Sequence, residues 1–133
     1  MKTPLWDVDP RPTLLFDPDS TRGAKLAAAL RREGFIVDIA ASAAEMLTAR
    51  LNRSYDMLIV VADMDDADCL IFLSQLRRAA PRSWLVLINA RADEAAHMLA
   101  RRIGADALIA ASVSLPDLVR RLASLLLCER PVL

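Results

Sequence analysis

A run of six apolar residues in the middle of the chain, Met57–Ala62, constrains the fold more than any other stretch. The run is rich in Ile and Val and lies between Asp56 and Asp63, so it predicts a strand that is buried on both faces. Such strands occur at the centre of parallel sheets, whose ligands bind just past the carboxyl ends of the strands. The acidic loop Asp63–Asp66 is therefore the first place to look for a functional site.

The composition indicates one globular domain. A chain of 133 residues is long enough for one domain with a buried core. Of these residues, 55% are hydrophobic and 26% are charged, as is typical of a globular protein. Because 17 basic side chains balance 17 acidic ones, the net charge favours neither nucleic acid, nor an anionic membrane, nor an acidic substrate. The two cysteines, Cys69 and Cys128, indicate reduced thiols. We find no signal peptide and no run of ~18 apolar residues, and therefore expect a cytoplasmic protein without membrane contact.

Short apolar and β-branched runs alternate with segments of helical periodicity along the chain. Five strands are predicted, at Thr13–Phe16, Phe35–Ala40, Met57–Ala62, Trp84–Ala90 and Ala107–Ala111. A helix is predicted after each strand. Connections between parallel strands are right-handed and cover both faces of a sheet. The pattern therefore predicts an α/β fold with a doubly wound, five-stranded parallel sheet, arranged as (βα)5 in three layers.

The helices carry recognisable end signals and apolar stripes. Caps are predicted at Asp19 or Ser20, at Ser42 in a capping box with Glu45, and at Ser114, and stops at Gly34, Pro81 and Gly104. The predicted stripe of the fourth helix consists of Ala95, Met98, Leu99 and Ile103. That of the fifth helix consists of Leu115, Leu118, Val119, Leu122, Leu125 and Leu126.

The ends of the chain suggest simple domain boundaries. Residues 1–11 contain Pro4 and Pro10 without any periodicity, which indicates a loose leader. Residues 12–128 form the predicted domain. Residues 129–133 are interpreted as a tail or the start of a linker to a further domain.

Several short segments, in register along the chain, are similar to receiver domains of two-component response regulators, the CheY-like family. The segments are Leu14–Asp19, Leu30–Phe35, Tyr55–Asp56, Asn89–Arg91 and Gly104–Asp106. The resemblance covers about residues 13–127 and implies a flavodoxin-like fold. In that family, an aspartate at the end of the third strand accepts a phosphoryl group from a histidine kinase, and an acidic pair after the first strand helps to hold Mg²⁺.

The resemblance places these two family positions on residues that lack the required chemistry. The phosphoacceptor position falls on Val61, which has no oxygen to phosphorylate. The acidic pair falls on Asp17 and Pro18, so the second carboxylate is missing, although Asp19 follows.

Three further positions of the pattern also differ. In the family, a Ser or Thr at the end of the fourth strand senses the phosphate, and an aromatic residue on the fifth strand acts as a switch. A Lys after that strand neutralises the charge of the phosphate. Here these positions are Asn89, Leu108 and Ala111, and the proline that usually follows the Lys is Ser112. Phosphoryl transfer to a carboxylate requires a nucleophile, a divalent cation and a fixed positive charge. The sequence therefore predicts a pseudo-receiver that is not an enzyme and uses no cofactor or metal.

Three alternatives remain for the acidic loop and the strand ends. Asp63 could accept phosphate in place of Val61, although it would be displaced by ~6.6 Å along the strand. Clustered carboxylates at Asp17, Asp19, Asp63, Asp65 and Asp66 could bind a divalent cation, or form only a solvated acidic rim. Small residues at Val61, Ala111 and Ser112 could leave a pocket for a small ligand, as in a sensor.

A domain without chemistry must act by binding, so we expect a protein partner or an output domain of the same chain, and no direct contact with nucleic acid. The resemblance implies a homodimer through the face of the fourth helix, fifth strand and fifth helix. That face would offer Met98, Arg101, Arg102, Asp106, Leu118, Arg121 and Leu125, unless the apolar members belong to the core. His97 is interpreted as a surface residue and Cys69 as a buried, small hydrophobic residue.

Overall fold

The computed structural model describes residues 12–52 and 54–127, so the predicted leader, Cys128 and the predicted tail lie outside the described residues. The strands are β1 Pro12–Phe16, β2 Ile36–Ala40, β3 Met57–Ala62, β4 Trp84–Asn89 and β5 Ala107–Ala110. The helices are α1 Ser20–Arg32, α2 Ala43–Asn52, α3 Ala67–Ala79, α4 Glu94–Ile103 and α5 Leu115–Leu127. Every predicted strand and helix is confirmed, with strand bounds that differ by one residue at most.

The five strands form one parallel sheet in the order β2-β1-β3-β4-β5. In this register Phe16 of β1 lies beside Val60 of β3, and Asn89 of β4 lies between Ala62 of β3 and Ala110 of β5. The strands β3, β4 and β5 therefore finish at the same level, and β1 finishes two residues earlier at the same edge, which we call the carboxyl end of the sheet. The doubly wound, flavodoxin-like fold is thus confirmed.

The sheet separates two hydrophobic clusters. Successive residues of β3 point to opposite faces, so Leu58 and Val60 belong to the cluster under α2, α3 and α4, while Ile59 belongs to the cluster under α1 and α5. All three of these side chains are buried, as expected for a central strand. None of the helices in the described ranges is both long enough and apolar enough to cross a membrane.

Local hydrogen bonds explain where the helices begin and end. The carboxylate of Asp19 accepts two backbone N–H groups in the first turn of α1, and Ser42 and Ser114 each accept one at the start of α2 and α5. Gly34 after α1 and Gly104 after α4 have positive φ angles of 93° and 94°. This left-handed conformation is accessible to glycine without a steric penalty, and both predicted stops are confirmed.

The predicted apolar stripe of α4 is wrong in two of its four positions. Ala95 is exposed and the Met98 side chain is 49% exposed, whereas Ala96 and Ala100 are buried. These two alanines therefore lie on the side of α4 that faces the interior. The helix is therefore rotated from the predicted orientation, and Met98 points toward solvent.

The predicted stripe of α5 needs one correction. Leu115, in the first turn, is 38% exposed, while Leu118, Val119 and Leu122 are buried as expected. Leu115 lies beside an open groove between α1 and α5 and does not enter the cluster beneath them.

Candidate functional site

The sheet register brings the predicted pocket positions together. Asp17 directly follows β1 and lies level with Val61, because their predecessors Phe16 and Val60 are paired. Asn89 ends β4, and Ala111 follows β5 one residue beyond the partner of Asn89. These four residues therefore share the carboxyl end of the sheet, where ligands bind to folds of this kind.

Val61 presents an aliphatic surface in this position. It is the penultimate residue of β3, is half-buried, and packs against the cluster under α1 and α5. A valine side chain contains no oxygen or nitrogen, so it can neither accept a phosphoryl group nor bind a metal ion.

Arg22 of α1 neutralises Asp17, and this is the main feature of the site that the sequence pattern did not reveal. The carboxylate of Asp17 is 1% exposed and accepts two hydrogen bonds of 2.7 Å from the guanidinium of Arg22, which is 54% exposed. One of its oxygens also accepts the backbone N–H of Asp19 at 2.9 Å. The hydrogen bond to Asp17 is the main cause that raises the pKa of Arg22.

The neighbouring glycine makes room for this ion pair. A Cβ atom on Gly23 would lie 3.1 Å from the Cβ atom of Asp17, so glycine allows α1 to approach the carboxylate closely. The Arg22 side chain reaches back over the helix start to Asp17, five residues earlier. Pairs within a helix are separated by three or four residues, so ordinary spacing rules do not detect this one.

Asn89 joins two loops at the carboxyl end of the sheet. Its side chain is buried; Oδ1 accepts the backbone N–H of Met64 at 3.2 Å, and Nδ2 donates to the carbonyl of Arg91 at 2.7 Å. Its backbone carbonyl accepts the N–H of Ala111 at 2.7 Å. The amide at the family's phosphate-sensing position therefore links the β3–α3 loop to the β4–α4 loop.

Arg91 forms a second, more exposed link between the same loops. Its guanidinium donates to Asp65 at 2.5 Å and to Asp93 at 2.8 Å. Asp93 also caps α4, and the backbone N–H of Ala96 is the main cause that lowers the pKa of Asp93, with Arg91 acting in the same direction. Because all three side chains of this link are exposed, each ion pair contributes little stability by itself.

The predicted acidic rim consists of carboxylates that already have local partners. Asp63 accepts the N–H of Asp65, Asp66 caps α3, and Asp19 caps α1. Within residues 12–52 and 54–127, no group of three or more His, Cys, Asp or Glu side chains is arranged to hold a metal ion.

The remaining predicted pocket positions are exposed or half-buried. Pro18, Ala111 and Ser112 are exposed, while Leu108 is half-buried against the cluster under α2, α3 and α4. Two open grooves of about 700 Å³ and about 500 Å³ lie elsewhere, between α1 and α5.

The residues predicted to form a dimer face have mixed environments. Four of them are exposed, namely Met98, Arg101, Arg102 and Arg121. Leu118 is buried in the cluster under α1 and α5, and Leu125 is half-buried against that cluster. Asp106 pairs with Arg77 at 3.0 Å. The structure thus assigns the two leucines to the core, and the dimer stays a prediction.

For two further residues, the observed exposure can be compared with the prediction. His97 is exposed on α4, which confirms a surface position. Cys69 is half-buried, less than predicted, and burial is the main cause that raises the pKa of its thiol. A raised pKa leaves less thiolate at neutral pH and lowers reactivity.

Comparison with known proteins supports the resemblance. The chain is 31% identical over 114 residues to a probable transcriptional regulatory protein, y4xI, of Sinorhizobium fredii, covering 86% of this chain and 50% of that protein. The chain spans about half the length of the curated relatives that it matches. No family model matches the sequence.

Solved structures show the same fold. A response regulator from Thermotoga maritima superposes with a TM-score of 0.80 at 18% identity, covering 90% of this chain and 99% of that chain. An atypical orphan response regulator, described as having a phosphorylation-independent regulatory mechanism, superposes with a TM-score of 0.72 at 24% identity, covering 85% and 92% of the two chains. The described residues therefore have the fold of CheY-like response regulator receiver domains, and the sequence is similar to curated transcriptional regulatory proteins over about half of their length.

Proposed function

We propose that this receiver domain acts in signal transduction or transcriptional regulation through protein contacts, without phosphorylation of an aspartate. On this proposal it is a binding module, catalyses no reaction, and needs no metal or cofactor. The observation that supports the proposal is the state of the pocket: an aliphatic side chain, Val61, lies where the resemblance places the acceptor, and Arg22 neutralises the adjacent carboxylate of Asp17.

The charge arrangement supports this proposal. In phosphoryl transfer the protein contributes positioning and charge stabilisation around a bound cation. Here an arginine of the same chain forms two hydrogen bonds with the buried carboxylate, so a cation would have to displace a charge-assisted, bidentate pair. Asp63 lies beyond the end of β3, is exposed and accepts the N–H of Asp65, which supports the view that it does not replace the missing acceptor.

The relatives support a partner in the same polypeptide. The curated relatives are about twice as long as the matched region, and the first is named as a probable transcriptional regulatory protein. We propose that an output domain, or a separate protein, receives the signal from this module. The homodimer through α4, β5 and α5, and the cytoplasmic location, stay predictions of the sequence.

Treatment of the full chain with acetyl phosphate and Mg²⁺, followed by intact mass measurement, tests the proposal. We expect no stoichiometric phosphoryl adduct, because the acceptor position contains no oxygen. A receiver domain with an aspartate acceptor is treated alongside to show that the reagents are active.

Asp63→Asn distinguishes the rival site. An adduct on the parent chain that disappears in this variant would assign phosphorylation to Asp63 and refute the proposal. An adduct that persists would place the acceptor on another residue and would refute it equally.

A further inference from the structure

Four exposed arginines lie at the end of the domain opposite the pocket. They are Arg78 in the last turn of α3, Arg82 in the turn after α3, and Arg101 and Arg102 at the end of α4, and we call them the arginine patch. The two helix ends are neighbours, because Arg77 donates a hydrogen bond of 3.1 Å to the carbonyl of Gly104. Among the ion pairs of the described residues, none involves a member of the arginine patch.

The opposite ends of the same two helices carry an acidic patch. Its members are Asp63, Asp65, Asp66, Asp68, Asp93 and Glu94, all of them exposed. Arg91 pairs with Asp65 and Asp93, and the other four have no cationic partner within the described residues. Because α3 has 13 residues, the two patches are separated by about 20 Å.

Helix dipoles explain part of this separation of charge, since acidic side chains stabilise the first turn and basic ones the last. They do not explain all of it. Asp63 and Asp65 lie in the loop before α3, and Arg82 lies in the turn after it. The formal net charge is +0, so two copies do not repel each other at long range while their ends carry opposite charge.

We propose that the arginine patch of one copy of this chain binds the acidic patch of a second copy. The contact joins two different surfaces, so it is head-to-tail and each dimer retains one free arginine patch and one free acidic patch. Both patches consist of exposed charges, so the contact is weak and sensitive to salt. It differs from the predicted symmetric dimer, in which the same face of both copies would meet.

Sedimentation velocity of the full chain at rising protein concentration measures this association. Screening acts over about 30 Å at 0.01 M salt and about 3 Å at 1 M. We expect the weight-average sedimentation coefficient to rise with protein concentration at the lower salt, and this rise to be lost at the higher.

Two charge-neutralising variants test the surfaces separately. Arg78→Gln with Arg101→Gln removes charge from the arginine patch, and Asp68→Asn with Glu94→Gln removes charge from the acidic patch. For each variant alone, we expect that the sedimentation coefficient no longer rises with protein concentration at low salt. An equimolar mixture should form one-to-one dimers and nothing larger, because only one native contact remains possible between the two variants. Circular dichroism of each variant confirms that it is folded.

A matched control removes two exposed arginines elsewhere. Arg32→Gln with Arg120→Gln changes the net charge equally but lies on α1 and α5, outside both patches and outside the predicted dimer face. We expect the sedimentation coefficient of this control to rise with protein concentration as it does for the parent chain. The proposal would be overturned if the parent chain stayed monomeric at every protein and salt concentration, or if its association did not depend on salt. Loss of association in this control would overturn it too. Assemblies larger than dimers in the mixture would overturn it as well.

Discussion

The buried amide of Asn89 connects the two loops beside the pocket. Its Oδ1 accepts the N–H of Met64, a buried residue, and its Nδ2 donates to the carbonyl of Arg91. Asn89→Ala removes both hydrogen bonds and leaves the N–H of Met64 without this partner. We expect the free energy of unfolding to fall by about 1–3 kcal/mol, as measured by urea denaturation followed by circular dichroism.

An exposed amide on α3, a helix that covers the same face of the sheet, serves as the control. Gln75 lies on the solvent side of α3, so Gln75→Ala should change the free energy of unfolding by less than about 0.5 kcal/mol. Equal effects of the two substitutions would show that the side-chain bonds of Asn89 do not hold the loops.

The sequence predicted where the pocket residues lie but not all of what they do. Val61 could be placed because a continuous apolar run fixes the strand and its end. The role of Arg22 could not be predicted, because its bond to Asp17 depends on a turn and on a side-chain rotamer rather than on spacing within a helix. The position of Asn89 was predicted, whereas its bond to Met64 joins residues 25 apart in the chain and requires the fold.

Two glycines have nearly the same backbone conformation, so substitutions at both allow backbone strain to be distinguished from steric conflict. Gly34 has φ +93° and nothing within 4 Å of an added Cβ atom. Gly104 has φ +94°, and an added Cβ atom would lie 3.0 Å from Cδ of Arg77. Gly34→Ala should therefore cost only the left-handed penalty of about 1–2 kcal/mol, and Gly104→Ala should cost more.

A double-mutant cycle in urea isolates the additional cost. Arg77→Ala removes the atoms that the new methyl group would approach. In that background, we expect Gly104→Ala to lower the free energy of unfolding by no more than Gly34→Ala does. If the excess cost of Gly104→Ala persists without Arg77, the conflict lies elsewhere.

The helix ends were predictable and the rotation of α4 was not. Gly34 and Gly104 are strong local signals because few other residues adopt a positive φ angle. In α4, however, alanines occupy both sides of the helix, at Ala95 as well as at Ala96 and Ala100. Their similar hydrophobicity leaves the buried side undecided, and packing against the sheet then selects it.

At the scale of the whole molecule, the alternation of strands and helices determines much of the architecture. Right-handed crossovers between parallel strands follow from the alternation alone. The strand order β2-β1-β3-β4-β5 follows from the resemblance, since periodicity does not specify which strands are neighbours. The net charge of zero concealed the separation of charge along α3 and α4, because a sum contains no positions.

Because one sheet contributes to both hydrophobic clusters, we expect the domain to unfold as a single unit. Leu76 of α3 is buried in the cluster on one face, and Ile59 of β3 is buried in the cluster on the other. Leu76→Ala should lower the free energy of unfolding by about 2–5 kcal/mol and Ile59→Val by about 0.5–1.5 kcal/mol. The sheet lies between the two sites, so the double variant should equal the sum within about 0.5 kcal/mol.

Urea denaturation of the three variants, followed by circular dichroism and by tryptophan fluorescence, checks both statements. The two signals should give coincident transitions, because loss of either cluster exposes one face of every central strand. Transitions that separate in Leu76→Ala would mean that the layer of α2, α3 and α4 can melt while the layer of α1 and α5 stays folded. In a module that acts by binding, such independence would let a partner on one face bind without any effect on the other, whereas a single transition couples the two faces through the sheet.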